Sequence, residues 1–257
     1  MRMNPSLEIL IPLAKNILSA RKKNTLKISP RPRPSVIIFD VDGVLVGTRE
    51  SYQRTVLQTV RFFTGHRPTF SELHAWKNRP GFNDDWKLSH AWVNSLGTSA
   101  TFEDVKRKFI ELYWGENGSG NVRKEKWLLP QANLRRLAKK AELAIFTGRV
   151  KWELDHTFGR LKMRRFFSKI VTVECVKEPK PSPEGLLQIL DGRDPSIALY
   201  VGDNVDDALA AQSARMPFVA ILPRGSEERR QRGARLLKLG ALAMLSHASE
   251  LEDWLKG

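Results

Sequence analysis

Four short segments hold the residues whose types and spacing could do chemistry: Asp40-Val-Asp42-Gly43, Thr147-Gly148-Arg149, Lys180 between Pro179 and Pro181, and Asp203-Asn-Val-Asp206-Asp207. Two acidic clusters, a hydroxyl and a lysine form an inventory for phosphoryl transfer through a carboxylate, provided that one place in the fold gathers them. Each segment also has a plainer reading. Acidic residues after strands form turns and caps, Thr147 could cap a helix, Lys180 could sit in solvent, and Asp206 or Asp207 could be favourable charges at a helix N-terminus.

The elements that must position these residues are short β-branched and aromatic runs: Ser35–Phe39, Leu143–Phe146, Lys169–Val173, Ile197–Val201 and Phe218–Leu222. Between them lie helical patterns at Gln131–Ala141, Trp152–Phe167, Pro183–Leu190 and Val205–Ala214. Strands read as buried on both faces and alternating with helices predict an α/β fold with a parallel sheet, and such sheets bind ligands at the C-terminal edge of their strands. Each of the four segments begins at or soon after a strand end. The stretch 49–126 breaks the rhythm with four amphipathic helical patterns (Tyr52–Phe63, Phe70–Lys77, Trp86–Ser95 and Phe102–Trp114) and no convincing strand, so it reads as an inserted helical module. It carries twelve of the chain's aromatic residues, enough for a small core of its own. Gly47-Thr48 and Gly115–Gly120 read as its hinges, the latter as a flexible connector rather than a phosphate loop.

The ordered set FDVDGVL, TGR, KPSPE and GDNVDD resembles the four motifs of the haloacid dehalogenase-like superfamily, and the insertion after the first motif resembles its branch with a helical cap. The resemblance covers residues 35–257. It implies a Rossmann-like core over 35–48 and 127–257, a cap over 49–126 and a basic extension over 1–34. Carried over motif by motif, it implies Asp40 as nucleophile and Asp42 as general acid/base, with Thr147 and Lys180 holding the phosphoryl oxygens. It also implies Mg²⁺ held by Asp40, the carbonyl of Asp42 and Asp203, with Asp207 beside them as an anchor for Lys180 or for a metal-bound water. An acidic residue at Asp42 favours a phosphatase over a dehalogenase, because only the former has an alkoxide to protonate. A phosphomutase using the same aspartyl-phosphate is the alternative within the family. Substrate contacts are expected from Thr147-Gly148-Arg149, Lys180 and the cap loop Asn78–Trp86, chiefly Arg79 and Asn83, although that loop also reads as a helix break capped by Asn83 or Asp84. Lys77 and Lys87 are the lysines that could form a Schiff base in a phosphonatase-like variant; the plainer reading leaves both in solvent.

Composition bounds the rest. The 257 residues carry 43 Lys+Arg against 28 Asp+Glu, a formal charge of +15, with 41% hydrophobic residues. That apolar share excludes dominant disorder. About half of the excess charge lies in residues 1–33, which contain no aromatic side chain to stack on bases. A nucleic-acid-binding protein on an idle hydrolase core is thus the rival from another class, and the complete catalytic set argues against it. The single cysteine, Cys175, permits no internal disulfide and reads as a buried thiol. No stretch is long and apolar enough for a membrane span, and no histidine pair has metal-ligand spacing. The expectation is a cytoplasmic enzyme acting on a small phosphorylated metabolite, with its oligomeric state open.

Overall fold

The computed structural model describes residues 33–77, 79, 82 and 84–257. The basic extension, except for its last two residues, lies outside the described residues, as does Asn83. Strand β1 (Val36–Phe39) is the first apolar run, and the chain then crosses into the helical module between two brief strands, β2 (Val46–Gly47) and β3 (Lys126–Trp127). Strands β4 (Glu142–Phe146), β5 (Lys169–Val171), β6 (Ala198–Gly202), β7 (Phe218–Ile221) and β8 (Ala243–Leu245) follow. With β1 they form one parallel sheet in the order β5-β4-β1-β6-β7-β8. From β1 the chain builds outward through β4 and β5, then returns to β6 on the opposite side. β1 is therefore the topological switch point, where a crevice opens at the strands' C-terminal ends.

Helices α1 (Arg54–Thr64), α2 (Phe70–Lys77), α3 (Asp85–Ser95) and α4 (Phe102–Trp114) make up the module. Their apolar faces bury Val56, Val60, Leu73, Leu88, Trp92, Val105 and Phe109 in a cluster separate from those of the sheet. Thr101 caps α4 and Asp84 caps α3 through side-chain oxygens that accept backbone N–H bonds.

Helices α5 (Gln131–Ala138), α6 (Lys151–Leu161), α7 (Glu184–Leu190), α8 (Val205–Ser213), α9 (Glu227–Lys238) and α10 (Leu251–Lys256) flank the sheet. Alternate residues of β1 serve the two faces. Ile37 and Phe39 pack with Leu134, Leu154, Phe158 and Leu251, while Val36 and Ile38 pack with Leu186, Ile189, Ala211 and Leu236. A sheet covered on both sides needs strands apolar at every position, which is why these runs do not alternate with polar residues.

Three expectations are corrected. The edge of the 49–126 stretch does contain a strand residue: Lys126 pairs antiparallel with Gly47 and Trp127 with Val46. Gly115–Gly120 is packed backbone, not a spacer. A Cβ on Gly120 would lie 2.5 Å from the Tyr113 carbonyl oxygen, and one on Gly118 would lie 2.7 Å from the His156 ring. Trp114 seats its ring edge against Trp152 and His156 of α6, so this connection docks the module on the core. Cys175 is exposed, because β5 stops at Val171 and a short helical turn turns the thiol outward.

Candidate active site

β1 delivers Asp40 to the switch point, where its N–H donates to the Val201 carbonyl at 2.8 Å and ties it to β6. The chain then turns at Gly43 with φ +77°, and a Cβ there would lie 2.5 Å from Oδ2 of Asp203. Only glycine tolerates both the left-handed backbone and that approach. β4 delivers Thr147, fully buried, whose N–H donates to the Val171 carbonyl at 3.0 Å and whose Oγ1 accepts the Arg149 N–H at 3.1 Å. The loop carrying Lys180 is held from α7, where the Glu184 carboxylate accepts the N–H groups of Lys177 and Glu178, both at 3.0 Å. β6 ends at Asp203. Asp207 forms a capping box with Asn204 at the start of α8, and its Oδ2 accepts the N–H groups of Asp203 and Asn204, each at 3.1 Å.

Lys180 is the charge at the centre. Its Nζ donates to Oδ1 of Asp40 and to Oδ1 of Asp207, both at 2.7 Å, and the Tyr200 hydroxyl donates to the same Asp207 oxygen at 2.7 Å. Burial works against its ammonium, but Asp207 and Asp40 outweigh that and raise its pKa, so it stays charged. Burial lifts the Asp40 carboxyl well above the usual range, with Lys180 opposing. Burial likewise pushes Asp203 up to about 7 against the pull of Arg232, whose guanidinium lies 3.8 Å away. Elevated carboxylates crowded together are unfavourable unless a proton or a cation joins them.

A divalent cation fits this donor set. Asp40, Asp203 and Asp207 each bring a carboxylate oxygen within 4.8 Å of the others, and an all-oxygen site suits a hard ion. Both oxygens of Asp207 are already engaged by two donors each, so its part is to hold Lys180 and the Asp203 loop. Of the three, Asp40 and Asp203 are the ones with oxygens to offer an ion.

A cavity of about 900 Å³ lies between this edge and the module, lined by Asp40, Asp42, Thr147, Gly148, Arg149, Lys180, Asp203 and Asp207 from the core and by Arg79 from the module. Arg79 stacks its guanidinium on Trp76 at 4.0 Å. Lys77 also lines the cavity, with its ammonium 2.8 Å from Asp85. Arg149 differs from expectation: it lines the cavity, but its buried guanidinium spends its donors on Asp42, Glu125 and Thr157 rather than leaving them for a substrate. Several site residues were not legible in the sequence. Glu125 and Glu153 are buried acids beside Arg149, and Tyr52 donates its hydroxyl to Glu153, which burial pushes up to about 7. Arg232 reaches the acidic cluster from α9, and His74 of α2 meets Glu228 of α9 at 3.1 Å, joining module to core. No local pattern marks any of them, since each partner comes from a distant segment.

The model of the haloacid dehalogenase-like hydrolase family matches residues 37–221. An imidazoleglycerol-phosphate dehydratase of Phytophthora nicotianae is 31% identical over 187 residues, covering 69% of this chain and 41% of that protein, so the chain spans only about two fifths of that relative. The pyrophosphatase PpaX of Bacillus cereus is 26% identical over 194 residues, covering 74% of this chain and 83% of that one. Among solved structures, a subfamily IA hydrolase of the same superfamily from Geobacter sulfurreducens superposes with a TM-score of 0.57 at 24% identity, covering 86% of this chain and all of that one. With its motifs at the switch point of a parallel sheet and its family matched over most of its length, this chain belongs to the haloacid dehalogenase-like hydrolases.

Proposed function

We propose that the chain is a Mg²⁺-dependent phosphatase that hydrolyses a small phosphomonoester through an aspartyl-phosphate on Asp40. The observation that carries this reading is the convergence of Asp40, Asp42, Thr147, Lys180 and Asp203 on one cavity wall. The PpaX relative, a pyrophosphatase by name, lends support for phosphoryl chemistry.

In the first half-reaction a carboxylate oxygen of Asp40 attacks phosphorus, the ester P–O bond breaks, and Asp42 gives its proton to the departing alkoxide. In the second, water attacks the phosphorus, its proton passes to Asp42, and the Asp40–phosphorus bond breaks to release phosphate and restore both carboxyl groups. Thr147 and Lys180 hold the phosphoryl oxygens, and the ammonium offsets charge that Asp40 and the ester would otherwise leave unbalanced. Mg²⁺, bound through Asp40, Asp203 and the carbonyl of Asp42, would neutralise the remaining negative charge. The module roofs the cavity with Tyr52, Trp86 and Arg79, the mixture of apolar and polar groups that a small-molecule site needs.

The test is release of inorganic phosphate from p-nitrophenyl phosphate and a panel of phosphorylated metabolites in Mg²⁺. Asp40→Asn should lose at least about 10³-fold in turnover while still showing a cooperative thermal unfolding transition. Full Mg²⁺-dependent turnover in that variant would overturn the mechanism, and an isomerised product without phosphate release would indicate a phosphomutase.

A further inference from the structure

The guanidinium of Arg149 lies in the wall of the site with its side chain only 1% exposed. All five of its N–H donors are accounted for. Nε donates to Oδ1 of Asp42 at 2.9 Å, and the Nη2 amino group donates to the same Oδ1 at 2.5 Å and to Oε1 of Glu125 at 2.8 Å. The Nη1 amino group donates to Oε2 of Glu125 at 3.1 Å and to Oγ1 of Thr157 at 3.2 Å. No donor remains for a substrate.

Glu125 is equally committed. Its side chain is fully buried, and it accepts further bonds from the Tyr113 hydroxyl at 3.0 Å and from the Thr157 hydroxyl at 2.6 Å. A cation and an anion this deeply buried must be paired and hydrogen-bonded on every side, or the desolvation cost of each is unmet. The pair is thus a rigid neutral block. On the cavity side the guanidinium lies over the Tyr52 ring, 5.2 Å from its centre, and hydrogen-bonds Asp42, whose side chain is 37% exposed.

We infer that Arg149 and Glu125 are positioning residues for Asp42, a reading that rests on the phosphatase assignment above. The geometry says what they position. Both guanidinium bonds fall on one oxygen, Oδ1, so a proton on that oxygen would face two N–H donors. The proton is carried on Oδ2, the oxygen outside the fork, and the carboxyl cannot turn over without breaking both bonds. In the first half-reaction the Oδ2–H bond breaks as the alkoxide takes the proton; in the second, Oδ2 takes a proton from the attacking water. Arg149 and Glu125 themselves exchange no proton. Their contribution is to hold the acid in one orientation, which matters in proportion to how much the leaving group needs protonation.

That proportion supplies the test. Single removal of Arg149 would strand Glu125, so two variants are used: Arg149→Lys, which keeps the buried charge but loses the planar fork, and Arg149→Met with Glu125→Met, which removes the pair together. For each, kcat/KM is measured in Mg²⁺ on ethyl, phenyl and p-nitrophenyl phosphate, with melting curves as a check on folding. This parameter reports only steps up to aspartyl-phosphate formation, so hydrolysis of that intermediate does not mask the effect. Both variants should lose about 10²-fold or more on ethyl phosphate and less than about tenfold on p-nitrophenyl phosphate, whose leaving group departs without a proton. Equal losses on all three esters in a folded variant, or no loss, would overturn the positioning role. If the wild-type chain hydrolyses none of the esters, or does so without needing Asp40, the phosphatase assignment fails and this inference falls with it. Asp40-dependent wild-type turnover combined with equal losses on the three esters in the variants sinks this inference alone.

Discussion

Replacing Lys180 by Met tests whether one ammonium balances the acidic cluster. The side chain is 9% exposed and bonds Asp40 and Asp207, each at 2.7 Å, with the Phe146 ring at 4.9 Å on a third side. Met keeps the apolar stem and removes only the charge. Removing one partner of a buried ion pair costs about 3–5 kcal/mol, because the other is left uncompensated. In a chain of this size each kcal/mol lowers the melting temperature by about 2–4 °C, so a loss of about 4 kcal/mol predicts a fall of about 8–16 °C. The assay is a thermal melt in chelator at pH 5 and pH 8. The sign of the pH effect follows from Asp40, whose folded pKa is raised by burial above 3.8. Protonation therefore stabilises the folded state, fully so below that value, and the benefit is lost as pH rises through the folded pKa. The deficit of the variant should be larger at pH 8 than at pH 5. Mg²⁺ at a hundredfold excess over its Kd adds about 2.7 kcal/mol to any folded chain that binds it, so it should raise the melts of wild type and variant alike. A melt within about 2 °C of wild type at pH 8, or a deficit identical at the two pH values, would refute the reasoning.

Two further outcomes are expected. Gly43→Ala places a methyl group 2.5 Å from Asp203 Oδ2 on a residue with φ +77°, so it should cost about 1–2 kcal/mol in a denaturant melt and weaken Mg²⁺ binding measured by calorimetry. Glu252 accepts a bond from Arg136 at 2.5 Å, which lowers its carboxyl to about 2. The stabilisation is present above its ordinary value of 4.5 and lost as pH falls toward 2, so wild type should lose melting temperature across that window and Glu252→Gln should show a flatter profile.

The fold was legible where burial on two faces leaves an unmistakable mark. The runs at 36–39, 143–146, 198–202 and 218–221 carry no charged residue, and prolines and glycines frame the loops that follow. Helix α9 was missed because EERRQRGARLLK buries only Gly233 and Leu236 and reads as solvated charge. β2 and β3 were missed because two residues carry no period. The core motifs were legible since each is a compact string at a strand end. The Asp42–Arg149–Glu125 chain was not: its members sit far apart in sequence, and nothing near Glu125 distinguishes it from a surface acid until Tyr113, Thr157 and Arg149 close over it. Cys175 misled because a strand expected to run through Val173 ends two residues early.

The pairing of Gly47 with Lys126 puts the two ends of the helical insertion side by side, about 5 Å apart as in any antiparallel pair. Geometrically, the whole excursion could be bypassed by a two-residue turn, leaving the sheet and its flanking helices untouched, and a different roof could be grafted at the same gate. Electrostatically it could not. Glu125 belongs to the excised stretch and Arg149 to what remains, so a roofless version would leave a buried guanidinium with Asp42 alone and without the carboxylate that takes its other amino groups. Exchange of the roof is therefore coupled to residue 149: a different roof would have to bring its own acceptor for the guanidinium N–H groups that Glu125 now takes.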